Sequence, residues 1–186
     1  MSQSLLARLR ALDACSDAQA WVASLPPETT EEAAWSACER ADWLLWVAAR
    51  LGVDRPLVVL AVCACARTAL PVWERQYPED RRPHTAIETA EAWARGEASL
   101  EQVQAASADA ASAAHAAAAA DAAYAAAYAA YAAAYAAAAA DAVAHAADAV
   151  AHAAAAVAYA AYAAASRTLS DLVRQHIPWS AVAARL

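Results

Sequence analysis

The sequence of 186 residues lacks lysine, asparagine and phenylalanine, and it contains only two glycines and one methionine. With so few glycines it offers no glycine-rich loop for binding phosphate, and no Ser-His-Asp or Cys-His arrangement for nucleophilic catalysis appears. No segment alternates polar and apolar residues with a period of two, as a half-buried strand would. These absences predict an all-α protein without a catalytic centre.

Positive charge is also scarce, since thirteen arginines face twenty acidic residues and leave a formal net charge of −7. Such a balance argues against binding to nucleic acid or to an anionic membrane. Asp and His interrupt the alanine tract and leucine is absent from it, so no membrane-spanning helix is predicted. Arg8 and Arg10 likewise interrupt the first apolar run, so we expect no secretory signal. We therefore expect a cytoplasmic protein whose four cysteines are reduced thiols.

Alanine is in large excess, with 43 alanines among the 61 residues from Ala105 to Ala165. Alanine is the best helix former, which predicts helix throughout this tract. From Ser99 to His176 no glycine or proline intervenes. A single rod of that length would span on the order of 120 Å. We therefore expect at least one reversal, at 116–120 or 136–140, and an antiparallel pair of long helices; the alternative is an extended rod.

The first half of the chain is rich in tryptophan and predicts shorter helices. They cover residues 2–24 as one broken or two short helices, Thr29–Leu51, a helix opened by Asp54 and broken at Pro71, and Thr85–Arg95. Capping boxes are expected at Ser16/Gln19, Thr29/Glu32, Thr85/Glu88 and Ser99/Gln102. A last amphipathic helix through Leu169, Leu172, Val173 and Ile177 should stop at Pro178. We divide the chain into the tryptophan-rich helices 1–98 and the alanine-rich helices 99–186, packed as one structural unit.

The second of these helices should bury a heavy aromatic face. Its members are Trp35, Cys38, Trp43, Trp46 and Val47. Because Trp43 and Trp46 lie three positions apart within an apolar run, we expect at least one of them to be buried.

Five charged residues have positions that would turn inward. They are Arg40, Asp42, Arg67, Glu88 and Glu91. We interpret them as a buried Arg–carboxylate network among the N-terminal helices, with a structural role.

The cysteines do not form a pattern that binds a metal. Cys63 and Cys65 are two positions apart, which on a helix points them roughly 200° apart, so they cannot chelate one ion together. Neither Cys15 nor Cys38 has a ligand partner at a suitable spacing. We expect buried small hydrophobic side chains rather than a zinc site.

A heptad repeat near the end of the alanine tract places two carboxylates and two imidazoles on one helix face. They are Asp141, His145, Asp148 and His152. Helical bundles build metal centres from such ligands, so a metal site is the alternative interpretation. A second helix would have to supply the remaining ligands. We favour a solvated face with Asp–His pairs, and expect no metal and no cofactor.

Four tyrosines step along the same tract at spacings of four, three and four residues. They are Tyr124, Tyr128, Tyr131 and Tyr135. At about 100° per residue their rings share one stripe, which favours a seam against another helix. That helix belongs either to the same chain or to a second copy, so the seam also predicts a homo-oligomer as one possibility.

Several motifs resemble the Imm5-like family of immunity proteins. They are Cys38-Glu-Arg-Ala-Asp-Trp-Leu-Leu-Trp46, Cys63-Ala-Cys-Ala-Arg67, Arg82-Pro83 with the segment Ala86–Glu97 that contains Glu88, Glu91, Trp93 and Gly96, and the closing segment Asp171–Pro178. The resemblance implies an antidote to a polymorphic toxin in bacteria or their phages. It names a role but carries over no residue-level mechanism.

We therefore expect a non-catalytic helical protein that neutralises a cognate toxin by direct binding. Because the chain is acidic, a basic toxin is the partner that its charge favours. One alternative is a helical bundle that binds a metal or small molecule, for which the Asp/His face would have to turn inward. Another is a structural, self-assembling rod, for which the alanine tract would have to be exposed and continuous.

Overall fold

The computed structural model describes residues 2–119 and 167–186, and throughout these ranges the protein is helical, with no strand. The all-α prediction is confirmed. The helices are α1 (Ser2–Ala11), α2 (Ser16–Ser24), α3 (Glu31–Ala37), α4 (Ala41–Arg50), α5 (Arg55–Arg67), α6 (Leu70–Gln76), α7 (Arg82–Ala94), α8 (Leu100–Ala119), α9 (residues 167–176) and α10 (Trp179–Ala183).

The chain divides into two compact units, Met1–Glu39 and Arg40–Leu186. The first unit holds α1 to α3, and α1 packs against α2. The chain reverses between these two helices at Asp13, whose φ of 60° is in the left-handed region. The capping box expected at Ser16 and Gln19 does not form. Cys15 is the N-cap of α2, and Gln19 Nε2 instead donates a hydrogen bond to the carbonyl of Ala14 at 2.7 Å.

The helix predicted over Thr29–Leu51 is two helices. Thr30 caps α3 by accepting a hydrogen bond from the Ala33 N–H at 3.0 Å, and the helix ends after Ala37. Cys38 and Arg40 have extended backbone angles (ψ of 116° and 94°). No glycine or proline marks this break. It coincides with the end of the first compact unit, so tertiary packing overrides helix propensity here.

Helix α5 is the centre of the second unit. Seven of its thirteen residues are buried: Val58, Val59, Ala61, Val62, Cys63, Cys65 and Ala66. It packs against α4, α6 and α7. The kink or end predicted at Pro71 lies earlier: α5 ends at Arg67, and α6 begins at Leu70 at an angle of 44°, with Pro71 in its first turn.

Helix α7 begins three residues earlier than predicted. Arg82 opens it and Pro83 follows at a position where a missing N–H does no harm. Thr85 therefore lies inside the helix, where its N–H bonds to the carbonyl of Arg81, and the capping box expected with Glu88 does not form. The predicted C-terminal end is confirmed, since Gly96 follows the helix with a φ of 78°.

The alanine-rich tract begins as predicted. The Ser99 N–H donates to Gln102 Oε1 at 2.8 Å and the Gln102 N–H donates to Ser99 Oγ at 3.3 Å, which is a reciprocal capping box. Helix α8 follows without interruption and packs along α7. Its buried stripe is Val103, Ala106, Ala110, Ala113 and Ala114. Small side chains at these positions allow the two helices to approach closely.

The C-terminal helices complete the second unit. Of the four residues in the predicted amphipathic pattern, Leu169, Val173 and Ile177 are buried and Leu172 is half-buried. The Sγ atom of Cys65 lies 3.7 Å from the carbonyl oxygen of Leu169, which places α9 directly beside α5.

No single helix in the described ranges has both the length and the apolar composition to cross a membrane. Helices α5 and α6 meet those criteria only when taken together across their bend.

Candidate protein-binding surface

Helix α4 presents aromatic and cationic side chains on the face opposite its buried one. The buried face consists of Ala41, Leu44, Leu45 and Ala48. At about 100° per residue, Trp43, Trp46 and Arg50 point roughly the opposite way. Both tryptophans are half-buried and Arg50 is exposed. The expectation that at least one of these two tryptophans is buried is therefore wrong. The leucines, rather than the larger rings, occupy the helical period that faces the core.

The first arginine–tryptophan pair on this helix is Arg40 and Trp43. The guanidinium carbon of Arg40 lies 4.5 Å from the Trp43 ring centroid, a cation–π geometry. Asp42 accepts two hydrogen bonds from the same guanidinium, at 2.9 Å from Nε and 2.6 Å from Nη2. The charge of Arg40 is thus balanced within its own helix turn.

The second pair is Arg50 and Trp46, one turn apart at spacing i,i+4. The guanidinium carbon of Arg50 lies 5.5 Å from the Trp46 ring centroid. Among the residues that the structure describes, no carboxylate lies within ion-pair distance of Arg50. Sequence analysis missed Arg50. The signal that would have identified it is an arginine four residues after a tryptophan, which a helix brings together.

The Arg–carboxylate network predicted as buried is instead a set of separate pairs. Arg67 on α5 and Glu91 on α7 form a bidentate, partly buried pair, with both nitrogen–oxygen distances 2.7 Å. The hydrogen bonds to Glu91 raise the pKa of the Arg67 guanidinium. Glu88 is exposed and lies 3.1 Å from Nδ1 of His84. The Arg40–Asp42 pair is at the surface. Of the five residues predicted to turn inward, Arg67 and Glu91 form the pair that joins two helices of the core, α5 and α7.

An ion pair between Asp80 and Arg82, which was not predicted from the sequence, fixes the turn before α7. Arg82 binds the carboxylate of Asp80 through Nε at 2.9 Å and Nη2 at 2.6 Å. This hydrogen bonding holds the pKa of Asp80 below its usual value. The carbonyl of Asp80 also accepts a hydrogen bond from Trp73 Nε1 at 2.7 Å, so the loop is tied to a buried ring of α6. The roles of Asp80 and Arg82 are therefore structural.

Three of the four cysteines are buried, as the sequence predicted, and one is not. Cys38, Cys63 and Cys65 are buried, whereas Cys15 is exposed. Burial raises the pKa of Cys63 far above its usual range and the pKa of Cys65 to about 12. Both thiols are therefore protonated and unreactive at neutral pH. In the described parts of the chain, no group of three or more His, Cys, Asp or Glu side chains is arranged to hold a metal ion.

The other residues singled out in the sequence serve the fold or fall elsewhere. Pro83 is buried in the first turn of α7, and Trp93 is half-buried near its end. Two predicted sets lie outside the described residues: the tyrosine seam Tyr124, Tyr128, Tyr131 and Tyr135, and the face Asp141, His145, Asp148 and His152. Both remain predictions, as do the reversal of the alanine tract and the division at residues 98 and 99.

Comparison with known proteins gives one family. Residues 53–178 match the family model described as Imm-5 like putative immunity protein. The match includes the Cys63–Arg67, Arg82–Pro83 and Ala86–Glu97 motifs and the closing segment to Pro178. It begins after α4, so the Cys38–Trp46 motif lies outside it. No curated protein and no solved structure matches the chain.

Proposed function

The chain belongs to the Imm5-like family of immunity proteins, and we propose that it neutralises a cognate bacterial toxin by binding it directly, without catalysis. The family match over residues 53–178 is the observation that carries this proposal. An immunity protein has a toxin as its partner. Covering the toxin's active cleft is the simplest way for a helical protein to neutralise it.

The chemistry of the described residues supports binding. The two buried thiols of α5 are protonated, and the Arg67–Glu91 pair uses its charged atoms on each other. By contrast, α4 presents tryptophan and arginine at the surface. These residue types dominate binding energy in protein interfaces, because they combine a large apolar area with directed hydrogen bonds.

The charge of the protein supports a basic toxin. The chain carries a net charge of −7, and its segment Met1–Glu39 contains six acidic residues and two arginines. A field of this sign speeds the encounter with a basic partner and is screened by salt. Many toxins that attack nucleic acid are basic because they must bind phosphates. We propose that the protein meets such a toxin in the cytoplasm.

The proposal is tested with the product of the gene adjacent to that of this chain. Co-expression of the two proteins should restore growth that the product alone abolishes, and the two should co-purify. Titration of the purified proteins should then abolish toxic activity at one equivalent, because a binding protein protects stoichiometrically.

Two results would contradict the proposal. Protection at far less than one equivalent would indicate that the protein acts catalytically on the toxin or its target. Absence of both growth rescue and co-purification would reject direct binding of this partner. Trp73→Ala, which removes a buried ring of α6, serves as a control because a misfolded chain should protect poorly.

A further inference from the structure

The imidazole of His84, in the first turn of α7, has two partners at one nitrogen. Its Nδ1 lies 3.0 Å from the guanidinium nitrogen Nη2 of Arg81, the residue that precedes the helix. The same Nδ1 lies 3.1 Å from the carboxylate oxygen Oε2 of Glu88, one helical turn further on. A guanidinium can only donate a hydrogen bond, and an ionised carboxylate can only accept one. A single proton on Nδ1 therefore decides which of the two contacts is favourable.

The ring has three forms, and each favours one partner. When the neutral ring carries its proton on Nε2, Nδ1 has a free lone pair and accepts the hydrogen bond from Arg81. When the ring is charged, Nδ1 carries a proton that it can donate to Glu88, and the positive charges of His84 and Arg81 repel each other. In the second neutral tautomer the proton is on Nδ1, so the hydrogen bond from Arg81 is lost without a change of charge.

Other charged side chains approach this contact from the turn before α7, from α7 itself and from the two helices packed against it. They are Asp80 and Arg82 in the turn and the first residue of α7, Glu91 on α7, Arg67 on α5 and Asp109 on α8. Asp80 binds Arg82 and Glu91 binds Arg67, while Asp109 acts electrostatically on Arg82. Within the described ranges of the chain, Glu88 is the carboxylate within ion-pair distance of His84.

We propose that His84 is a pH-dependent switch at the start of α7: the neutral imidazole holds Arg81, and the protonated imidazole releases Arg81 and pairs with Glu88. Histidine is the side chain whose charge ordinarily changes between about pH 5 and 8. Release of Arg81 removes one of the contacts that hold the turn before α7, while the hydrogen bonds of Trp73 and Arg82 to Asp80 remain. The change is therefore local, and it frees a guanidinium at the surface as the pH falls. This inference is independent of the proposed function.

The test follows the ring nitrogens of His84 by NMR in the isotope-labelled, full-length protein between about pH 5 and 8. A nitrogen with a free lone pair and a nitrogen that carries a proton resonate at well-separated frequencies, so the spectrum reports both tautomer and charge. The signals of His84 are those that vanish in His84→Gln. Arg81→Ala and Glu88→Gln each remove one partner. Arg95→Ala is the matched control, since Arg95 is an exposed arginine at the other end of α7. Thermal melting verifies that each variant is folded.

At the upper end of this pH range we expect the wild-type ring to carry its proton on Nε2. Arg81→Ala should shift the neutral ring toward the tautomer protonated on Nδ1, Glu88→Gln should shift it the opposite way, and Arg95→Ala should leave it unchanged. As the pH falls, the guanidinium signal of Arg81 should move in step with protonation of the ring. Two results, both obtained from the wild-type protein alone, would overturn the proposal: a neutral ring protonated on Nδ1, or an Arg81 signal that does not respond when the ring becomes charged.

Discussion

Helices α4 and α5 follow each other in the chain and use apolar residues in opposite ways. Helix α5 buries small side chains, among them Val59, Val62 and Cys63, which are fully buried. Helix α4 carries its largest side chains, Trp43 and Trp46, on the face away from its buried leucines. Position within the helical period therefore decides burial, and size does not. Large rings off the buried stripe are available for binding, and substitution of a buried and a half-buried tryptophan tests this contrast.

The largest effect is expected from the same substitution at two tryptophans. Trp73 is buried to 2% exposure in α6. Trp73→Ala should lower the free energy of unfolding by about 3–5 kcal/mol, through lost burial and the cavity left behind. Trp46→Ala should lower it by only about 1 kcal/mol, since that ring is half-exposed already. Urea denaturation monitored by circular dichroism measures both. An equal or larger loss for Trp46→Ala would contradict the orientation of α4.

The Arg67–Glu91 pair should contribute a smaller amount. Arg67→Ala removes two charge-assisted hydrogen bonds between α5 and α7 and should cost about 1–2 kcal/mol, less than a fully buried pair, because the Arg67 side chain is 39% exposed. Arg67→Lys should recover little of this, since lysine has no planar fork. Arg40→Ala, which breaks an equally short pair at the surface, is the control. If Arg67→Ala and Arg40→Ala lower the free energy of unfolding by similar amounts, the link between two core helices makes no additional contribution to stability.

Thiol reactivity distinguishes the exposed from the buried cysteines. A thiol reagent such as dithionitrobenzoate should modify Cys15 rapidly in the native protein, and Cys38, Cys63 and Cys65 only after unfolding. The reason is that the reactive species is the thiolate, and burial raises the pKa of Cys65 to about 12. Cys15→Ser should abolish the fast phase. Rapid modification of Cys63 or Cys65 in the native state would contradict the packing of α5.

The smallest effect concerns pH. Hydrogen bonding to Arg82 lowers the pKa of Asp80 in the folded state, so this carboxylate stabilises the fold above its unfolded pKa of about 3.9. That stability is lost as the pH falls through the lower folded value. Because Arg82 is well exposed, we expect only a few tenths of a kcal/mol. Asp80→Asn should remove the corresponding part of the acid dependence in urea denaturation between pH 2 and pH 5. An unchanged acid profile would indicate that the Asp80–Arg82 pair does not persist in solution.

Much of the helical architecture follows from local sequence signals. The Ser99/Gln102 capping box, the glycine after α7 and the interruption before Pro71 all act within a few residues of where they stand. For the same reason the amphipathic pattern predicted the burial of Leu169 and Val173 in α9 and of Ile177 just after it, although Leu172 is half-buried and the buried Ser170 was not predicted.

The features that sequence analysis missed depend on contacts distant in the chain. The break at residues 38–40 carries no local signal, because tertiary packing sets it. The sequence prediction chose the tryptophan face of α4 as the buried one because its side chains are large. The structure instead buries the opposite face, which carries Leu44 and Leu45. The predicted inward network grouped charged residues from several helices. Their actual pairs could not be predicted, because the sequence does not show which helices are neighbours. For this reason Arg67 was linked with four residues, of which one, Glu91, is its hydrogen-bonding partner.

The contact between Cys65 and Leu169 also has a consequence for the order of folding. The two residues are 104 positions apart in the chain, and α9 supplies three fully or nearly fully buried side chains to the second unit. During synthesis the valine- and cysteine-rich surface of α5 therefore stays uncovered on that side until α9 has left the ribosome. Contacts of such long separation slow folding, because a large loop must close before they form. The nascent chain is thus exposed to aggregation for most of its synthesis, and a chaperone that covers α5 would protect the chain during that interval.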